Sequence, residues 1–158
     1  MPEPAVVMST HSPDETLDLG ARLGAVAETG DVIALFGGLG AGKTVMAKGI
    51  MRGLGGNPAE VTSPTFTLMI RHEARVPLYH IDAYRLAGSK ELLEIGVEEV
   101  LGGDGLSVIE WPERAKELLP DDRLDVRIFV IAEHERLFQF EPSGEKGRAM
   151  LERAGLST

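Results

Sequence analysis

Gly37-Gly38-Leu39-Gly40-Ala41-Gly42-Lys43-Thr44 satisfies the spacing G-x-x-x-x-G-K-[ST] at every fixed position. Such a loop handles phosphate. Successive backbone N–H groups wrap phosphate oxygens only where bulky side chains are absent, and a helix starting at the loop's end adds positive partial charge. Gly37, Leu39, Gly40, Ala41 and Gly42 are therefore candidate phosphate neighbours, with Lys43 reaching the β- and γ-phosphates and Thr44 offering its hydroxyl to Mg²⁺. The bland alternative is a chance match in a chain with 19 glycines. It is disfavoured by the flanks: an apolar run, Val32-Ile33-Ala34-Leu35-Phe36, precedes the loop, and helical spacing of Met46, Ile50 and Leu54 comes after it.

A phosphate-binding loop of this kind needs a carboxylate at the end of a neighbouring strand for the metal, and a group to orient the attacking water. Glu110 ends Leu106-Ser107-Val108-Ile109-Glu110, and Asp82 ends Leu78-Tyr79-His80-Ile81-Asp82. Either is a plain solvated acid unless its strand stops at the ligand crevice, where strand C-termini of open α/β sheets converge. Glu110 is assigned to Mg²⁺ and Asp82 to the water or to Mg²⁺. Thr62-Ser63-Pro64-Thr65-Phe66 is a hydroxyl-rich loop suited to sensing a γ-phosphate through Thr65, or else an ordinary polar turn. Trp111, the only tryptophan, is either core or a cover for the nucleotide. His11, His72, His80 and His134 have no metal-ligand spacing and read as ordinary residues.

The elements that must position these groups are legible in outline. Ser12-Pro13-Asp14-Glu15 reads as a capping box opening a helix to about Glu28, with Gly20 and Gly24 suited to close packing against a neighbour or a ligand. Strands are expected at 31–36, 65–71, 76–82, 106–111, 124–131 and 137–140, the second and third as a hairpin. Helices are expected from Lys43 to Leu54, in turns between Ser89 and Leu101, from Pro112 through Leu119, and from Gly144 to Ala154. The sum is an α/β chain. With 158 residues and no linker long enough to divide them, one domain over 1–158 is expected.

Sixteen Lys and Arg against 25 Asp and Glu give a net charge of −9, which argues against tight nucleic-acid binding by this chain alone. Cysteine is absent, which removes disulfides and thiolate chemistry and fits a reducing compartment. No apolar run approaches a membrane span and the first residues do not read as a signal peptide, so a cytoplasmic location without membrane contact is expected.

Several blocks together resemble the TsaE (YjeE) family of bacterial tRNA threonylcarbamoyladenosine synthesis. They are Glu15-Thr16-Leu17-Asp18-Leu19-Gly20, the phosphate loop, Ser63-Pro64-Thr65-Phe66-Thr67-Leu68, Tyr79-His80-Ile81-Asp82-Ala83-Tyr84-Arg85-Leu86, Glu94-Ile95-Gly96 and Ile109-Glu110-Trp111-Pro112. The resemblance implies a single-domain P-loop NTPase fold whose mixed, mostly parallel central sheet is flanked by helices. It implies ATP or ADP with Mg²⁺, slow hydrolysis, and partnership with TsaD and TsaB type proteins that carry the tRNA. On it, Lys43 and Asp82 serve hydrolysis, Thr44 and Glu110 the metal, and Thr16 lies near the nucleotide; the segment after Asp125 matches only loosely, and Arg136 is a candidate nucleotide contact there that the resemblance does not supply. Gly38 departs from the acidic residue usual in the family. Two other functions use the same loop: a small-molecule kinase, which needs a second pocket with cationic groups, and a nucleotide-gated adaptor in which hydrolysis is idle.

Overall fold

Residues 5–62, 68–84 and 90–156 are described by the computed structural model of the chain. Helix α1 (Pro13–Val26) opens as its sequence requires, with the Ser12 side chain accepting from the Glu15 N–H at 3.1 Å. The return bond goes one residue further back than a capping box has it, from the His11 N–H to the Glu15 carboxylate at 2.9 Å. The helix stops short of Glu28 because Ala27 turns extended, and the buried Asp31 carboxylate takes the Glu28 N–H at 2.8 Å. Burial pushes the Asp31 pKa up, against the pull of that hydrogen bond and of Lys146 and Arg153.

Strands β1 (Val6–Thr10), β2 (Val32–Phe36), β3 (Met69–His72), β4 (Leu78–Asp82), β5 (Leu106–Glu110), β6 (Leu124–Val130) and β7 (Arg136–Pro142) form one sheet in the order β1-β7-β6-β2-β5-β4-β3. Its centre, β6-β2-β5-β4, is parallel, while β7 and β1 at one end and β3 at the other are antiparallel. This is the expected mixed sheet, and β3 and β4 form the expected hairpin. The edge strand β1 is an addition to the expected set. Its partner β7 lies at the far end of the chain, so no local signal announces the pairing.

Side chains of β2 alternate between two cores. Ile33 and Leu35 pack with α1, α2 (Lys43–Gly53) and α5 (Glu145–Arg153), whereas Ala34 faces Leu92 of α3 (Lys90–Glu94) and Val97 of α4 (Val97–Val100). Over Pro112–Leu118 the expected helix is 3₁₀ and falls into two pieces, because Ala115 at φ −146° breaks the helical path while burying its methyl.

Helices α1 and α2 approach through glycine. A Cβ at Gly20 would lie 2.6 Å from the Met46 carbonyl oxygen, one at Gly24 would run into the Ile50 carbonyl, and Gly49 and Gly53 return the contact against Leu17 and Ala21. The small residues of α1 thus serve a neighbouring helix. Gly24→Ala is expected to cost roughly 1–3 kcal/mol in urea unfolding through overpacking. Gly38→Ala, whose Cβ would meet nothing within 4 Å, should stay within about 0.5 kcal/mol of the parent.

Candidate functional site

The loop from β2 to α2 needs left-handed backbone at Gly40 (φ 74°) and at Gly42 (φ 112°), the residue that caps α2. Lys43 is therefore the first residue of the helix. Its ammonium donates to the Gly37 carbonyl at 2.5 Å and sits 3.3 Å from the centroid of the Trp111 ring. A cation held on an indole face is worth about 0.5–2 kcal/mol. Burial pulls the Lys43 pKa down, while Glu110, Glu113 and Asp82 pull it back up.

Strands β4 and β5 end side by side, with Asp82 opposite Glu110 in the ladder. Both carboxylates are buried, at 4% and 3% exposure, in an acidic protein where a solvated face was the alternative. Asp82 accepts the Tyr84 N–H at 2.9 Å, and Glu110 Oε2 lies 2.5 Å from His80 Nε2. Just beyond, Trp111 adopts φ 58°, ψ 47°, a left-handed conformation rare for a bulky residue, and this turns its ring over Lys43 and against Tyr84 at 4.8 Å. Half-buried there, Trp111 belongs to the site and not to the deep core.

One cavity of about 380 Å³ gathers most of the expected residues: the loop from Leu39 to Thr44, then Asp82, Glu110 and Trp111, joined by Tyr84. Thr16 and Arg136 line a smaller neighbouring cavity of about 120 Å³ that shares Gly40, Ala41 and Gly42 with it. Thr16 is buried, its hydroxyl 2.8 Å from that of Thr10. Arg136 braces the loop itself, donating to the Ala41 carbonyl at 3.0 Å and to the Gly40 carbonyl at 3.4 Å. Gly37 stands apart, lining a cavity of about 570 Å³ with Gly38 and Trp111. Thr65 and the neighbouring Ser63, Pro64 and Phe66 lie outside the described residues.

Two residues of the site, His80 and Tyr84, are not among those the sequence marks for chemistry. His80 is wholly buried, with Nε2 against the Glu110 carboxylate. The available signal is strand alternation: His80 and Asp82, two apart in β4, share a face of the sheet.

The donor set suits a hard cation. Thr44, Asp82 and Glu110 offer oxygen, and no group of three His, Cys, Asp or Glu among the described residues could hold an ion alone. That matches Mg²⁺, which is held by one or two carboxylates together with substrate phosphates.

A family model described as threonylcarbamoyl adenosine biosynthesis protein TsaE matches residues 10–138. The chain belongs to the TsaE family. A TsaE relative from Treponema pallidum is 41% identical over 127 residues, covering 80% of this chain and 93% of its own. One from Bacillus subtilis is 38% identical over 144 residues, 90% of this chain and 89% of the relative. The crystal structure of Bacillus subtilis YdiB superposes with a TM-score of 0.82 at 32% identity, covering 98% of this chain and 96% of that one. Membership in the TsaE family brings the P-loop NTPase fold, nucleotide binding and a place in tRNA threonylcarbamoyladenosine biosynthesis. No helix among the described residues is long and apolar enough to cross a membrane.

Because Trp111 is the sole tryptophan and rests on the Lys43 ammonium, its emission reports the loop. Saturating ADP with Mg²⁺ is expected to change that emission as Lys43 moves to phosphate. Lys43→Ala should alter the starting spectrum and abolish the response, as a fluorescence titration would show.

Proposed function

We propose that the protein is a weak Mg²⁺-dependent ATPase whose cycle resets the machinery that makes threonylcarbamoyladenosine at position 37 of tRNA. The observation that supports it best is the convergence of Lys43, Thr44, Asp82 and Glu110 on one cavity at the ends of β4 and β5 and the start of α2. In this reading the backbone of Gly40 to Thr44 holds the phosphates, with Lys43 leaving the Gly37 carbonyl to neutralise the β- and γ-oxygens. Mg²⁺, held by Thr44 and Glu110, would draw charge from those oxygens. Asp82, fixed by the Tyr84 N–H, orients the attacking water. Thr16 and Arg136 serve the nucleotide from the adjoining cavity, and Trp111 covers it.

Partners of the TsaD and TsaB type would hold the tRNA, in keeping with a charge of −9 on this chain. The protein acts in the cytoplasm, as one domain over residues 1–158. A kinase would need free cations for a second substrate. The 570 Å³ cavity does present Lys116, Arg123 and Arg127, but Arg123 is bonded to Asp125 and Arg127 to Glu141.

Multiple-turnover formation of threonylcarbamoyladenosine on tRNA, with purified TsaD and TsaB type partners, tests the reading. Turnover should require the intact chain and vanish with Lys43→Ala. Asp82→Ala should still bind ATP, lose hydrolysis by roughly 100-fold or more, and stall after the first round. Sustained turnover with Asp82→Ala would favour the adaptor, and undiminished turnover without the chain would remove it from the pathway.

A further inference from the structure

His80 Nε2 lies 2.5 Å from Glu110 Oε2, and His80 is 0% exposed. In the β4–β5 ladder His80 faces Val108, two positions from the Asp82–Glu110 pair and on the same face, so the imidazole reaches Glu110 along the diagonal. We propose that His80 is the positioning residue of Glu110: its Nε2–H holds Oε2 and leaves Oε1 for the cation. The inference rests on the reading of Glu110 as a magnesium ligand.

The ring's other nitrogen fixes which form does this. Nδ1 is buried with no hydrogen-bond partner among the described residues. A charged imidazolium would bury an unaccepted N–H there and cancel the negative charge that Glu110 offers to a cation. A neutral ring with its proton on Nε2 leaves only a bare lone pair at Nδ1, and it orients the carboxylate without neutralising it. Groups that orient a metal-bound side chain typically govern about 10–100-fold in metal affinity.

Mn²⁺ binding to the ADP-loaded full-length protein, counted by electron paramagnetic resonance of free Mn²⁺, is the test. His80→Leu is expected to bind Mn²⁺ at least about 10-fold more weakly while retaining ADP affinity without metal, and His80→Gln, which keeps an N–H at similar reach, to recover most of the loss. Glu110→Gln separates the two ideas. If it weakens Mn²⁺ and His80→Leu does not, or if His80→Gln is no better than His80→Leu, the positioning role is overturned. If neither Glu110→Gln nor His80→Leu changes Mn²⁺ affinity, the assignment of Glu110 to the metal falls, and this inference with it. Should His80→Leu fail to fold, nitrogen NMR of the unaltered protein decides. A protonated Nε2 with a bare Nδ1 is expected, and the opposite tautomer overturns the proposal.

Discussion

Parallel pairing of β2, β5 and β4 is the constraint on which the rest of this molecule depends. In register, Leu35 lies beside Glu110 and Glu110 beside Asp82, so three strands finish at one edge of the sheet. Parallel strands run the same way, and the segments that leave them must meet at that edge. The glycine loop leaves β2 there, and the two acids end β4 and β5. A one-residue slip between β4 and β5 would carry one acid to the opposite face of the sheet and dissolve the site.

Gathering Lys43, Asp82 and Glu110 in so little space places three buried ionisable groups in one cavity. Isolated burial of any of them would be costly, and each is offset by a specific partner. Lys43 has the Gly37 carbonyl and the Trp111 face, Glu110 has His80, and Asp82 has the Tyr84 N–H. The left-handed backbone of Trp111 belongs to the same balance, since that turn brings the ring over the ammonium. Strain of this sort costs of order 1–3 kcal/mol and persists where the surroundings over-determine it.

Helix α1 holds the nucleotide loop from behind. Its glycine seam with α2 brings the two backbones into contact, and its last carbonyls are capped by side chains instead of a C-terminal glycine. Arg75 donates to the Gly24 and Ala27 carbonyls, and Arg153 to that of Val26. Arg22 answers from α1 by donating to the Ala154 and Gly155 carbonyls after α5. At the other end of α1, Thr16 enters the cavity beside Gly40, Ala41 and Gly42.

Local chemistry was written in the chain. Ser12 and Pro13 start α1, the apolar run of β2 reads as a buried strand, and the spacing from Gly37 to Thr44 forces a phosphate loop, because each depends on neighbours in sequence. Both acids could be named as strand ends for the same reason. Their adjacency could not, since it depends on β4 pairing with β5 across the segment between them. The same holds for the Arg136 contacts with the loop, the partnership of His80 with Glu110, and the edge strand β1. The 3₁₀ path of 112–118 was likewise hidden, because a left-handed Trp111 sets its start and burial of Ala115 breaks it. Sequence determined which groups were available for phosphate chemistry. Tertiary structure decided which of them meet, because contacts between distant segments are set by sheet register and close packing, neither of which leaves a local trace.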